Sequence, residues 1–129
     1  MDKEKLLQDL CARLPFGVRC SFGVDDAVYE ITGINPSACG ASEIQATHVK
    51  SGINGDFRLS SCKPYLFPLS SMTEEQKEEY AHILVMSSNL AYSQLLNITI
   101  EGWFNKNHFD YHGLITLGLA IDATGLNIY

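Results

Sequence analysis

The sequence predicts an α+β domain: a small antiparallel β-sheet of two hairpins, covered by an N-terminal helix and a C-terminal helical layer. Three observations predict it. Residues 2–14 carry a helical apolar stripe, short alternating runs between residues 18 and 62 are separated by turn chemistry, and a capped helix opens at Thr73. Two hairpins cannot bury their apolar side alone, so helices must cover the sheet. The 129 residues, 46% of them hydrophobic, suit a single domain with a β-rich half at about 15–70 and a helical half at about 71–129.

In the first helix, Leu6, Leu7, Leu10, Cys11 and Leu14 recur at i, i+3, i+4 spacing, and Pro15 with Gly17 ends it. Residues 18–22 alternate apolar and polar, 23–26 supply a turn, and 27–34 alternate again with Ala27, Tyr29 and Ile31 on one face. Asn35-Pro36 breaks this strand, and the small residues of 37–42 read as a loop. Residues 43–50 and 57–62 flank a second hairpin, in which Asn54-Gly55 suits the positive φ of a tight turn.

Pro64 and Pro68 remove two backbone donors, so residues 64–68 are expected as an extended edge or connector rather than a central strand. Thr73 and Gln76 have capping-box spacing, and Glu74 and Glu75 complement the positive end of the helix dipole. The helix over 73–87 places Met72, Gln76, Tyr80, Ile83, Leu84 and Ser87 on one side and Glu75, Lys77, Glu78 and Glu79 largely on the other. Residues 88–97 suit either a helical extension or a loop. Residues 98–107 favour a short helix, and Asp110 is expected to cap a last helix over 111–120.

The net charge of −6 falls mainly on residues 71–129, which sum to −5. The nine Lys and Arg residues are scattered rather than clustered, which argues against nucleic acid as a direct partner. No apolar run approaches the ~18 residues of a membrane helix, and the start lacks an apolar signal core, so a cytoplasmic protein without membrane contact is expected. Cys11, Cys20, Cys39 and Cys62 contain no C-x-x-C pair, and free thiols are expected, with Cys11 and Cys20 as small core hydrophobes.

Candidate chemistry is sparse. His108, Asp110 and His112 alternate, and in an extended segment they would offer three ligands to one metal ion. Cys39 with His48 is the nearest approach to a thiol nucleophile and base. Helix capping by Asp110 and an ordinary loop thiol explain the same residues without chemistry. No P-loop, dinucleotide-binding glycine motif or G-x-S-x-G elbow occurs, and no cofactor is expected. Trp103, Phe104, Phe109 and Tyr111 form the densest aromatic cluster, fitted to helix packing or to a partner-binding hot spot. Tyr65 and Phe67, between the two prolines, invite the same pair of readings.

The runs WFNKNHFDYHGLITLGLAIDATGLNIY and KPYLFPLSSMTEEQ resemble short uncharacterised proteins of gut Bacteroides and of their prophage-like or other mobile elements, over residues 62–129. The resemblance implies an intracellular accessory protein of a mobile element and transfers no catalytic residue or cofactor. The function expected is a non-enzymatic accessory or protein-interaction module, acting through a protein partner or self-association by Tyr65, Phe67, Trp103 and Phe104. The alternative is a small hydrolase using either the His108, Asp110, His112 set with a metal or the Cys39 and His48 pair.

Overall fold

A computed structural model describes residues 2–23, 27–35, 43–89, 91, 94 and 99–129. The described residues form an α+β fold in which three α-helices and a seven-stranded, mostly antiparallel sheet are defined. Helix α1 spans Asp2–Arg13 and passes into a single 3₁₀ turn, Leu14–Phe16, built on Pro15. Gly17 closes that turn at φ 78°, a left-handed conformation that glycine adopts without a Cβ penalty.

Strands β1 (Arg19–Ser21) and β2 (Tyr29–Ile34) form the first antiparallel hairpin, as the alternation predicts. Strands β3 (Ile44–His48) and β4 (Asn54–Phe57) form the second. Its turn differs from expectation. The amide of Gly52, at φ 73°, bonds to the carbonyl of His48 at 2.8 Å, so Gly52 supplies the left-handed residue. Asn54 and Gly55 instead belong to β4, where Thr47 Oγ1 donates to Asn54 Oδ1 at 2.6 Å across the pair. Residues 59–62, expected as strand, begin with a 3₁₀ turn over Leu59–Ser61.

The proline-flanked segment forms β5, Lys63–Pro68, an interior strand rather than an edge. It pairs antiparallel with β1 and parallel with two short strands, β6 (Phe109–Asp110) and β7 (Ile121–Asp122). The missing proline donors matter little because β5 relies on other groups. Phe67 donates to the His108 carbonyl at 2.8 Å, and the Leu66 carbonyl accepts from Ala123 at 2.8 Å. The β-rich part therefore extends into the C-terminal half.

Helix α2, Glu74–Ser88, starts at the predicted capping box, with Gln76 N to Thr73 Oγ1 at 3.2 Å and Thr73 N to Gln76 Oε1 at 2.9 Å. Helix α3, Ile100–Lys106, is capped by Thr99, whose hydroxyl accepts from Gly102 N at 3.0 Å. Asp110 also caps, accepting from the amides of Leu114 at 2.8 Å and Ile115 at 3.0 Å. No helix follows it, however: residues 114–120 are turns, with Gly113 and Gly118 at positive φ. Most of residues 88–97 lie outside the described residues.

Leu6 and Leu10 of α1 pack on Val18, Cys20, Ile31, Ile44, Leu59, Leu66 and Leu114. Cys11, expected in this stripe, is exposed, because the inward side of the helix's last turns belongs to Leu10 and to two charged residues, Asp9 and Arg13, both fully buried. Arg13 Nε lies 2.7 Å and Nη2 3.1 Å from the Asp9 carboxylate, and Nη2 also donates to the carbonyl of Phe109 in β6.

Removing one member of a buried charge pair strands the other, at a cost of about 3–5 kcal/mol. Asp9→Leu, which leaves the fully buried Arg13 without its carboxylate, is accordingly expected to lower unfolding stability by that amount, and Asp9→Leu/Arg13→Met to recover much of it, both read from urea unfolding midpoints. A loss below about 1 kcal/mol in the single variant would mean that the Arg13 charge reaches water.

Candidate functional site

The three residues of the predicted metal set are each committed elsewhere. Asp110 caps the turn that follows it, His112 bonds to Asp9, and the His108 ring stacks on Tyr129 with centroids 3.6 Å apart and planes 9° from parallel. Their divergence has a backbone cause. His108 sits at φ 63°, so the chain turns before β6 and residues 108–112 do not form one extended strand. Among the described residues no group of three His, Cys, Asp or Glu side chains gathers around a common point.

Cys39 lies outside the described residues. Its proposed base, His48, accepts from the amide of Ser51 through Nδ1 at 3.0 Å and meets the Tyr29 ring edge-on at 5.2 Å. Cys20 and Cys62 are buried free thiols. A hydrogen bond with Cys62, reinforced by burial, pushes the Cys20 thiol far above its ordinary range, so it stays protonated and unreactive.

The polar cluster that sequence reasoning missed is Asp9, Arg13 and His112. His112 Nδ1 lies 2.7 Å from Asp9 Oδ1, while Asp9 Oδ2 takes Arg13 Nε, so one carboxylate holds both the imidazole and the guanidinium. The Arg13 guanidinium carbon lies 5.3 Å from the centroid of the Tyr111 ring, next to which His112 packs at 4.2 Å. The signal available in sequence was the i, i+4 spacing of Asp9 and Arg13, which on an ordinary helix marks a solvated pair. Its burial follows from a contact 103 residues away and has no local signature.

An imidazole oriented by a carboxylate through Nδ1 is half of a general-base arrangement. The other half is a nucleophile in a cleft. Among the described residues, His112 contacts Asp9 and the Tyr111 ring. The arrangement therefore acts as a tie between the first and last parts of the chain.

The four residues expected to face a partner are drawn inward to different degrees. Tyr65 and Phe104 are buried, and Phe67 and Trp103 are half-buried. Trp103 stacks on Phe109 with centroids 5.6 Å apart, Phe104 on Tyr111 at 5.3 Å, and Phe67 packs beside Phe109 and Tyr129. The aromatic cluster thus packs the C-terminal region internally.

Exposed apolar side chains are spread over the described surface, Ile53, Leu117 and Leu126 among them, and α2 carries two, Leu84 and Val85, one turn of chain apart from its carboxylates. This helix has no buried residue; Tyr80 meets Trp103 and Phe104 on α3 at 5.8 and 5.6 Å, while Leu84 is 38% and Val85 70% exposed. Leu84, expected on the covered stripe, points outward. The reason is the residue distribution along the helix: the carboxylates Glu74, Glu75, Glu78 and Glu79 occupy the first half, and Ile83, Leu84, Val85 and Met86 fill the second on every side. A single partner helix can cover only part of such an end. Between α2 and α3 a groove of about 260 Å³ is lined by Glu79, His82, Ile83, Trp103, Lys106 and Asn107. The outer side of α2 and this groove form the candidate site.

No family model, curated protein or solved structure matches the chain.

His108 is the residue whose protonation is most plainly disfavoured by folding. Burial first, then the positive charges of Arg13 and Arg19, bring it down to about 4, against an ordinary value of 6.5. Protonation therefore favours the unfolded chain, so the contribution of neutral His108 is fully present above pH 6.5 and is lost as pH falls from there toward about 4. His108→Asn, which tolerates positive φ, is expected to flatten the rise of unfolding free energy across that window relative to wild type. Equal pH slopes for the two proteins in urea titrations would show that His108 is solvated.

Proposed function

We propose that the chain is a non-enzymatic protein-interaction module that presents the outer side of α2 to a partner. The observation that carries this reading is the apolar half of α2, with Val85 70% and Leu84 38% exposed, beside four carboxylates on the preceding turns. Exposed apolar surface rimmed by charge is the usual composition of a recognition patch. Two copies of α2 would set carboxylates against carboxylates or against apolar side chains. A different protein, with an apolar strip continuing into Lys and Arg, complements both halves and is the partner inferred.

The acidity of residues 71–129 and the dispersal of the basic residues favour a protein over a nucleic acid. No described helix is long and apolar enough to cross a membrane. Action in the cytoplasm, as an accessory of a mobile element, is the setting supported by the resemblance of residues 62–129 to short Bacteroides proteins. Catalysis by His108, Asp110 and His112 finds no support in their separate contacts.

The test compares wild type with Leu84→Glu/Val85→Glu in co-purification from the native host and in sedimentation. Both side chains are exposed, so stability is expected to change by no more than about 0.5 kcal/mol each. The wild type is expected to retain a partner that the variant loses and that elutes as salt is raised, and both are expected to sediment as monomers. Retention of the same partner by both proteins would contradict the reading, and a wild-type dimer dispersed by the substitutions would replace the inferred partner with a second copy.

A further inference from the structure

A slot of about 190 Å³ opens between the start of α1, the 3₁₀ turn at Leu59–Ser61 and the beginning of β5. Its floor is apolar and buried: Leu6 is 4%, Leu59 1% and Cys62 2% exposed, and half-buried Leu119 forms one wall. Its mouth is basic. Lys3 and Lys63 line it, both exposed, in a chain whose net charge is −6.

The nearby carboxylate does not cancel this charge. Glu43 accepts from Lys3 Nζ at 3.0 Å and from the amide of Leu59 at 3.3 Å, and Arg58 adds a second positive field on it. Lys63 forms no ion pair among the described residues. One carboxylate thus faces Lys3 and Arg58, and Lys63 stands at the rim with its charge unmatched.

We propose that this slot binds a small monocarboxylate whose apolar body, about six to eight carbons, fills the space over Leu6 and Leu59 while its carboxylate meets Lys63. Size and charge select this class together. A cavity of about 150 Å³ lined by Leu, Ile and Phe side chains is large enough for benzene, so the slot has room for such a body with the head group left at the mouth. A neutral hydrocarbon would leave the lysine unmatched, and acetate would leave the floor uncovered. The slot is separate from the outer side of α2, and its occupancy does not depend on the protein partner inferred there.

The test is an amide chemical-shift titration of the full chain with phenylacetate, alongside acetate and benzyl alcohol. Phenylacetate is expected to give saturable shifts at Leu6, Leu59, Cys62 and Leu119 with a dissociation constant of order 1 mM, the range for a ligand of about ten heavy atoms. Acetate, lacking the apolar body, is expected to bind at least about tenfold more weakly. Lys63→Gln is expected to weaken phenylacetate about two- to fivefold, the worth of one exposed ion pair. Leu119→Trp is expected to fill the slot and abolish the shifts; should that variant fail to fold, Lys63→Gln still decides. No saturable shift with phenylacetate, an equal response to acetate, or unchanged binding in Lys63→Gln would each overturn the assignment.

Discussion

The ion pair between Asp9 and Arg13, closed off from water on the inner side of α1, is the constraint on which the rest of the fold depends. A buried charge is tolerated only when its lone pairs and protons are taken up. Asp9 meets that demand with Arg13 and His112, and Arg13 with Asp9, the Phe109 carbonyl and the face of Tyr111. Arg13 Nη1 alone lacks an oxygen partner. The groups that satisfy the pair come from the far end of the sequence, so α1 and residues 109–112 are fixed relative to each other.

Around that anchor the C-terminal segment is drawn across β5. Short strands β6 and β7 add to it, and Tyr129 brings its hydroxyl to the Tyr65 carbonyl at 2.8 Å while receiving the Arg19 amide at 2.9 Å. Arg19 reaches back to the Ile128 carbonyl at 2.7 Å. The interior position of β5 is thus assembled from both ends of the chain. This arrangement leaves the aromatic side chains near Trp103 packed among themselves, while α2 touches the remainder mainly through α3 and keeps Leu84 and Val85 exposed.

Local rules made much of this legible in the sequence. The capping box at Thr73, the Pro15-Gly17 stop and the first hairpin each follow from residues close together in the chain, and the structure reproduces them, whereas Asp110 caps a turn in place of the expected helix. Failures came where distant partners decide. The prolines argued for an edge, yet β5 needs few of its own donors; the i, i+4 spacing of Asp9 and Arg13 carries no sign of burial, which His112 and Phe109 supply from far along the chain. Residues 114–120 have helical spacing, but Gly113 and Gly118 at positive φ hold them in turns. The aromatic residues whose composition suits a partner surface are drawn into packing to different degrees, Tyr65 and Phe104 buried and Phe67 and Trp103 half-buried, through contacts that sequence spacing does not show.

Native-state hydrogen exchange in increasing urea tests the central coupling most directly. If the Asp9 and Arg13 pair ties the two ends together, the amides of Leu10 in α1, Phe67 in β5, Leu114 and Ala123 will merge into one opening event with a common free energy and urea dependence. Exchange of Leu10 through a separate, lower-energy opening, with Leu114 and Ala123 still protected, would contradict the account.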